Sequence, residues 1–231
     1  MLALSSPNML NNKNGKLLLF DYDGTLVDSA QMIIDGTIEA FNRCGLANPK
    51  PEEIKAGIGQ KLDTAIKSYL PLGHKGMLDE VIRNYRQWYV EKDLEGKQFE
   101  PLFDNVKPIL EILHKDNWHL GIATNKSLRG LSRGLQHHEI EKLFSIIMTT
   151  DNFFPKPNKA MALHALRKLK IKNSDAFMIG DTVHDIKMGK NAKINTIGVT
   201  WGYNTREELH QANADHIIND INELVKILRE N

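Results

Sequence analysis

Cysteine is nearly absent from this 231-residue chain, where Cys44 stands alone. One thiol cannot build a disulfide framework, and no cysteine–histidine set has the spacing of a zinc site. A reducing compartment is expected, with Cys44 as a small buried hydrophobe rather than a nucleophile. Long apolar runs are missing too. None approaches the roughly 18 residues of a membrane span. The first residues hold only a short Leu2-Ala3-Leu4 patch in a polar, Asn-rich stretch. That stretch lacks a signal-peptide core, and residues 1–15 are read as a flexible leader. Neither charge sign is in excess: 30 Lys+Arg face 29 Asp+Glu, a net charge of +1. Such balance gives no bulk attraction for nucleic acid or an anionic membrane. The absences point to a cytoplasmic protein with no nucleic-acid or membrane partner. A small-molecule partner is the remaining expectation, in a monomer or homodimer, between which the sequence is silent.

What is present is ordinary for a globular fold: 41% hydrophobic and 26% charged residues. Short apolar runs at Leu17–Phe20, His119–Thr124, Phe144–Thr149, Ala176–Ile179, Thr196–Thr200 and His216–Ile218 predict six strands. Helical patterns separate the later ones, over 108–115, 127–138, 157–170, 185–192, 207–212 and 221–229. In the third of these intervals Pro157 is expected to open the helix. Strands alternating with helices imply βαβ units and a mostly parallel sheet. Residues 30–95 break that rhythm. Their apolar residues recur only at helical spacing, as in Ile34, Ile38 and Phe41, or Leu78, Val81, Ile82 and Tyr85. The expected fold class is α/β. A Rossmann-like, mostly parallel sheet flanked by helices takes residues 16–28 and 99–231. An inserted all-helical cap takes residues 29–98.

Polar groups follow the core strands. Asp21-Tyr22-Asp23-Gly24 ends the first, and Thr124-Asn125-Lys126 ends the second. Lys156 lies beyond the third, and Gly180-Asp181-Thr182-Val183-His184-Asp185 follows the fourth. In an open parallel sheet, such strand ends meet at one edge, where ligands bind. Asp21 and Asp23 alone fit an acidic turn, a cation site, or a nucleophile beside a proton carrier. Three or more carboxylates together need a counter-charge. Mg²⁺ suits them, because it takes oxygen ligands and shares them with phosphate. Thr124 and the amide after it can donate to an anion, and Lys156 adds a point charge. The set describes phosphoryl transfer better than acyl transfer or redox chemistry.

DYDGTLVDS, TNK, the KP of PKP and GDTVHD, in that order, resemble the four motifs of the haloacid dehalogenase superfamily. Within it the chain is most similar to the phosphoglycolate phosphatase group. The resemblance spans residues from about Leu17 to the end and implies an Mg²⁺-dependent phosphoric monoester hydrolase. Asp21 would become an aspartyl phosphate, and Asp23 would carry the proton. Asp21, the Asp23 backbone carbonyl and Asp181 would hold the metal. Thr124, Asn125 and Lys156 would bind phosphate. Lys156 would also neutralise the nucleophile. Asp185 would support Lys156 or a metal-bound water, or simply cap its helix. The cap would choose the substrate, with Gly57-Ile58-Gly59 as its loop and Lys61, Arg83 or Arg86 as anion ligands. Alternatives on this scaffold are a β-phosphoglucomutase-like phosphomutase and a non-catalytic binding protein. The chain departs from the family pattern at Tyr22, where phenylalanine is commoner, and at Asn105, where glycine is. Both are expected to keep the local geometry, Asn105 because asparagine tolerates a left-handed backbone.

Overall fold

The structure is a computed structural model, and it describes residues 15–96 and 100–230. Residues 1–14 of the expected leader, and the expected cap boundary at 98 and 99, lie outside these residues.

Six strands form one parallel sheet: β1 Leu17–Phe20, β2 His119–Ala123, β3 Phe144–Met148, β4 Ala176–Gly180, β5 Asn195–Val199 and β6 His216–Ile218. Their order is β3-β2-β1-β4-β5-β6, so β1 is central. Its four residues are all apolar and fully buried. A strand sends successive side chains to opposite faces. Leu18 and Phe20 accordingly join one core, with Leu110, Leu131 and Leu224. Leu17 and Leu19 join the other, with Met161, Ala165 and Met188. The helices supplying these residues are α5 Val106–Lys115, α6 Leu128–His137, α7 Ala160–Leu169, α8 Val183–Ala192 and α10 Asn222–Glu230, with the short α9 Arg206–Gln211 beside β5 and β6.

The stretch between β1 and β2 contributes four helices among its described residues: α1 Ala30–Arg43, α2 Pro51–Gly57, α3 Leu62–Tyr69 and α4 Leu78–Leu94. They bury an apolar cluster of their own, in which Phe41, Ile66 and Val81 meet. Gly36 lets α1 and α4 approach closely, since a Cβ there would lie 2.9 Å from the Trp88 ring.

Two local details bear on the expectations. Asn105 takes φ 60°, so it holds the left-handed turn before α5 that glycine usually makes. Pro157 does not open α7, which starts at Ala160 with Lys159 as its N-cap residue. The intervening backbone forms a turn, in which the Asn158 amide donates to the Pro155 carbonyl oxygen at 3.0 Å. Among the described residues, no helix is long and apolar enough to cross a membrane.

Candidate active site

Sheet register builds the site. Phe20 pairs with Ile122 of β2 on one side and with Ile179 of β4 on the other. The next residues outward are therefore Asp21, Ala123-Thr124 and Gly180-Asp181, side by side at the carboxyl edge. All three polar side chains are buried. Gly24 takes φ +81°, a left-handed turn open to glycine, and a Cβ there would overlap the Asp181 carboxylate. The returning chain then fixes Asp181 from two sides. The Thr25 hydroxyl donates to Oδ1 at 2.8 Å, and the Tyr203 amide donates to Oδ2 at 2.9 Å.

Lys156 reaches this cluster from the loop after β3. Its Nζ lies 2.7 Å from Asp21 Oδ1 and 2.6 Å from Asp185 Oδ1, with the lysine side chain fully buried. The Tyr22 amide also donates to Asp21 Oδ1, at 2.7 Å. One oxygen of Asp21 is thus held twice, and Oδ2 is left without a hydrogen bond among the described residues. Asp185 both pairs with Lys156 and caps its helix. Oδ1 pairs with Lys156, while Oδ2 accepts from the Thr182 amide and hydroxyl at 3.0 and 2.7 Å and caps α8.

Asp23 sits apart from these groups in its bonding. Its Oδ1 lies 2.8 Å from Lys126 Nζ, which lies 3.0 Å from Glu100 Oε1. Sequence reasoning missed this second lysine bridge. The TNK motif contained Lys126 but gave it no task. Glu100 carried no signal at all, because it lies outside every motif.

Asn125 joins the helical layer to the sheet. Its Nδ2 donates to the Gly59 carbonyl oxygen at 2.8 Å, and its Oδ1 accepts from the Lys156 amide at 2.9 Å. Gly59 takes φ +90°, and a Cβ there would lie 2.8 Å from Thr182 Cγ2. The Gly57-Ile58-Gly59 turn therefore rests against Asn125 and Thr182. Beside it lies a cavity of about 750 Å³ lined by Asp21, Asp23, Gly57, Gly59, Lys61, Arg86, Thr124, Asn125, Lys126 and apolar residues of the helical layer such as Ile58 and Ile82. Lys61 pairs with Asp63 at 2.7 Å. Arg83 is not among the lining residues. Trp201 and Tyr203 tie the loop after β5 to the chain that leaves β1. Trp201 donates to the Thr25 carbonyl oxygen at 3.1 Å, and the Tyr203 hydroxyl meets Ser29, just before α1.

The electrostatics show an excess of buried negative charge. Asp21, Asp181 and Asp185 each offer an oxygen within 4.8 Å of the others. Burial, with Asp185 and Asp23 adding and Lys156 opposing, pushes the Asp21 carboxyl up to about 7. Burial, with Asp185 and Asp21 adding, drives Asp181 well above the usual range. Burial alone would lower the Lys156 ammonium, but Asp185 and Asp21 outweigh it and keep the lysine firmly charged. One lysine against three carboxylates is an incomplete balance. An all-oxygen donor set with surplus negative charge suits a hard divalent cation.

Comparison with known proteins agrees with this construction. A family model described as haloacid dehalogenase-like hydrolase matches residues 18–199. Pyrophosphatase PpaX of Anoxybacillus flavithermus is 30% identical over 217 residues, covering 93% of this chain and 97% of that protein. A phosphoglycolate phosphatase of Vibrio parahaemolyticus is 29% identical over 221 residues, covering 92% and 96%. A solved haloacid dehalogenase-like family hydrolase from Streptococcus pneumoniae superposes with a TM-score of 0.82 at 24% identity. The match covers 94% of this chain and 99% of that one, a likeness of fold. With the four motifs in order along one sheet edge, and a family match over residues 18–199, this chain belongs to the haloacid dehalogenase-like hydrolases.

Proposed function

We propose that the chain is a divalent-metal-dependent phosphatase, with Mg²⁺ as the metal, acting on a small phosphorylated metabolite. The observation that carries this reading is the Lys156 ammonium between Asp21 and Asp185, at 2.7 and 2.6 Å, beside buried Asp181 and Thr124. Asp21 and Asp181 with the Asp23 backbone carbonyl, and Asp185 as a further carboxylate, would hold the cation. When bound it supplies positive charge for phosphate oxygens and keeps Asp21 ionised.

The chain's own groups do the rest. Asp21 Oδ2 attacks phosphorus, and the bond from phosphorus to the leaving oxygen breaks. Asp23 gives that oxygen its proton, and the alcohol departs. The Asp23 carboxylate then takes a proton from water as the water oxygen attacks phosphorus and the Asp21–phosphorus bond breaks. Thr124, the Asn125 amide and Lys156 hold the phosphate oxygens in both halves. The inserted segment over residues 29–98, helical in its described part, acts as the cap, and its closed position excludes water.

Phosphoglycolate is the first substrate to test. Pyrophosphate is the second, favoured by the relative that carries a pyrophosphatase name. The test is phosphate release from phosphoglycolate, pyrophosphate and p-nitrophenyl phosphate, with Mg²⁺ and with EDTA. Metal-dependent release from at least one compound is expected. No release across a broad ester panel would overturn the reading and favour a non-catalytic binding protein.

A further inference from the structure

The two acids after β1 are tethered alike. Asp21 is held through Oδ1 by Lys156, whose ammonium is shared with Asp185. Asp23 is held through Oδ1 by Lys126, whose ammonium is shared with Glu100. The second bridge is nearly as dry as the first. The side chains of Lys126, Asp23 and Glu100 are 11%, 14% and 4% exposed. A lysine on a flexible stem gains a fixed position only when both ends are constrained. Here the Lys126 ammonium stands 5.5 Å from the centre of the Tyr22 ring, between two carboxylates. Glu100 is fixed in turn, because its carbonyl oxygen lies 2.8 Å from His138 Nε2 at the end of α6. Glu100 is also the first described residue after the cap helices, at the return to the sheet.

We propose that Glu100 and Lys126 are positioning residues for Asp23. Glu100 holds the Lys126 ammonium in place. Lys126 holds Asp23 Oδ1, so that Oδ2, which has no hydrogen bond among the described residues, is the oxygen that exchanges the proton. In the first half Oδ2–H gives its proton to the leaving oxygen as the phosphorus–oxygen bond breaks. In the second half the Oδ2 carboxylate oxygen takes one from water. Lys126 keeps its own protons throughout. This inference rests on the phosphatase reading, in which Asp23 carries the proton.

Leaving groups separate positioning from general structural support. An alkyl alcohol leaves poorly and needs the proton, whereas p-nitrophenolate leaves with little help. The quantity to measure is kcat/KM, which reports steps through alcohol departure, for the fastest alkyl phosphate of the panel and for p-nitrophenyl phosphate. Glu100→Gln and Lys126→Gln are compared with wild type after circular dichroism has confirmed folding. General acid–base catalysis contributes roughly 10²–10⁴-fold. Both variants are expected to lose about 10- to 100-fold on the alkyl ester and less than about 3-fold on p-nitrophenyl phosphate. Equal losses on the two esters, or no loss on either, would overturn the positioning role. A wild type inactive on both esters would instead overturn the phosphatase reading, and this proposal with it.

Discussion

The side chain of Asn125 and the backbone of Gly59 are hydrogen-bonded, Nδ2 to carbonyl oxygen, at 2.8 Å. The same side chain accepts from the Lys156 amide at 2.9 Å, so one asparagine links the helical layer, the strand-two loop and the Lys156 loop. Asn125→Ala removes both bonds. Both bonds position the site rather than touch phosphate, and the Asn125 backbone amide survives the change. A misplacement of about 1 Å can cost about 10²-fold, and a loss of about that size is expected in kcat/KM. Asn125→Asp replaces the donor to Gly59 with a carboxylate beside the phosphate site, and a larger loss is expected. Steady-state kinetics of the two variants checks the order.

Burial and surrounding carboxylates give the site a distinctive pH response. Asp21 is raised from 3.8 to about 7, and Asp181 moves the same way. A raised carboxyl pKa means that the folded chain holds the proton more tightly than the unfolded chain. That stability is fully present below about pH 4 and is lost as pH rises through about 7. In EDTA, this site should therefore lower the melting midpoint between about pH 5 and pH 8. Mg²⁺ competes with those protons, so its stabilising shift should be larger at the higher pH. Thermal melts with and without Mg²⁺ at both pH values decide it. A larger Mg²⁺ shift at the acid end would contradict the charge account.

Lys156 separates stability from chemistry. Removing one partner of a buried ion pair typically costs ~3–5 kcal/mol. Lys156→Met strands the carboxylates of Asp21 and Asp185 and is expected to destabilise on that scale. Adding Asp185→Asn removes one stranded charge and keeps an oxygen that can accept from Thr182. Denaturant unfolding should show part of the stability regained, while phosphate release stays lost.

Tyr22 and Gly134 form a size-matched pair. The buried Tyr22 hydroxyl has no hydrogen-bond partner among the described residues, and a Cβ on Gly134 would overlap it. Gly134→Ala is expected to cost about 1–3 kcal/mol by overpacking. In a Tyr22→Phe background the same change should cost markedly less, and Tyr22→Phe alone should be neutral or stabilising. A double-mutant cycle in urea measures the coupling.

The alternation of strands and helices was legible because each strand is a short, mainly apolar run between turn signals. The gathering of Asp21, Asp181, Asp185 and Lys156 was legible because they follow strands, and strand ends in a parallel sheet share one edge. The Lys126 bridge was not, since it joins residues 103 and 26 positions apart whose meeting depends on packing. The double duty of Asp185 was open for a similar reason. A capping residue and an ion-pair partner look identical in sequence, and only the placement of two oxygens separates them. Asn105 could be anticipated because left-handed backbone is a local property, visible in the residue type itself.

The central claim is that Asp21 becomes covalently phosphorylated. The direct measurement is acid-quenched turnover followed by peptide mapping, in wild type and in Asp21→Asn. A phosphoryl group on Asp21 in wild type, with at least a 10³-fold loss of p-nitrophenyl phosphate hydrolysis in the variant, is the predicted result, roughly the scale of losing a nucleophile. Undiminished hydrolysis by Asp21→Asn would contradict it.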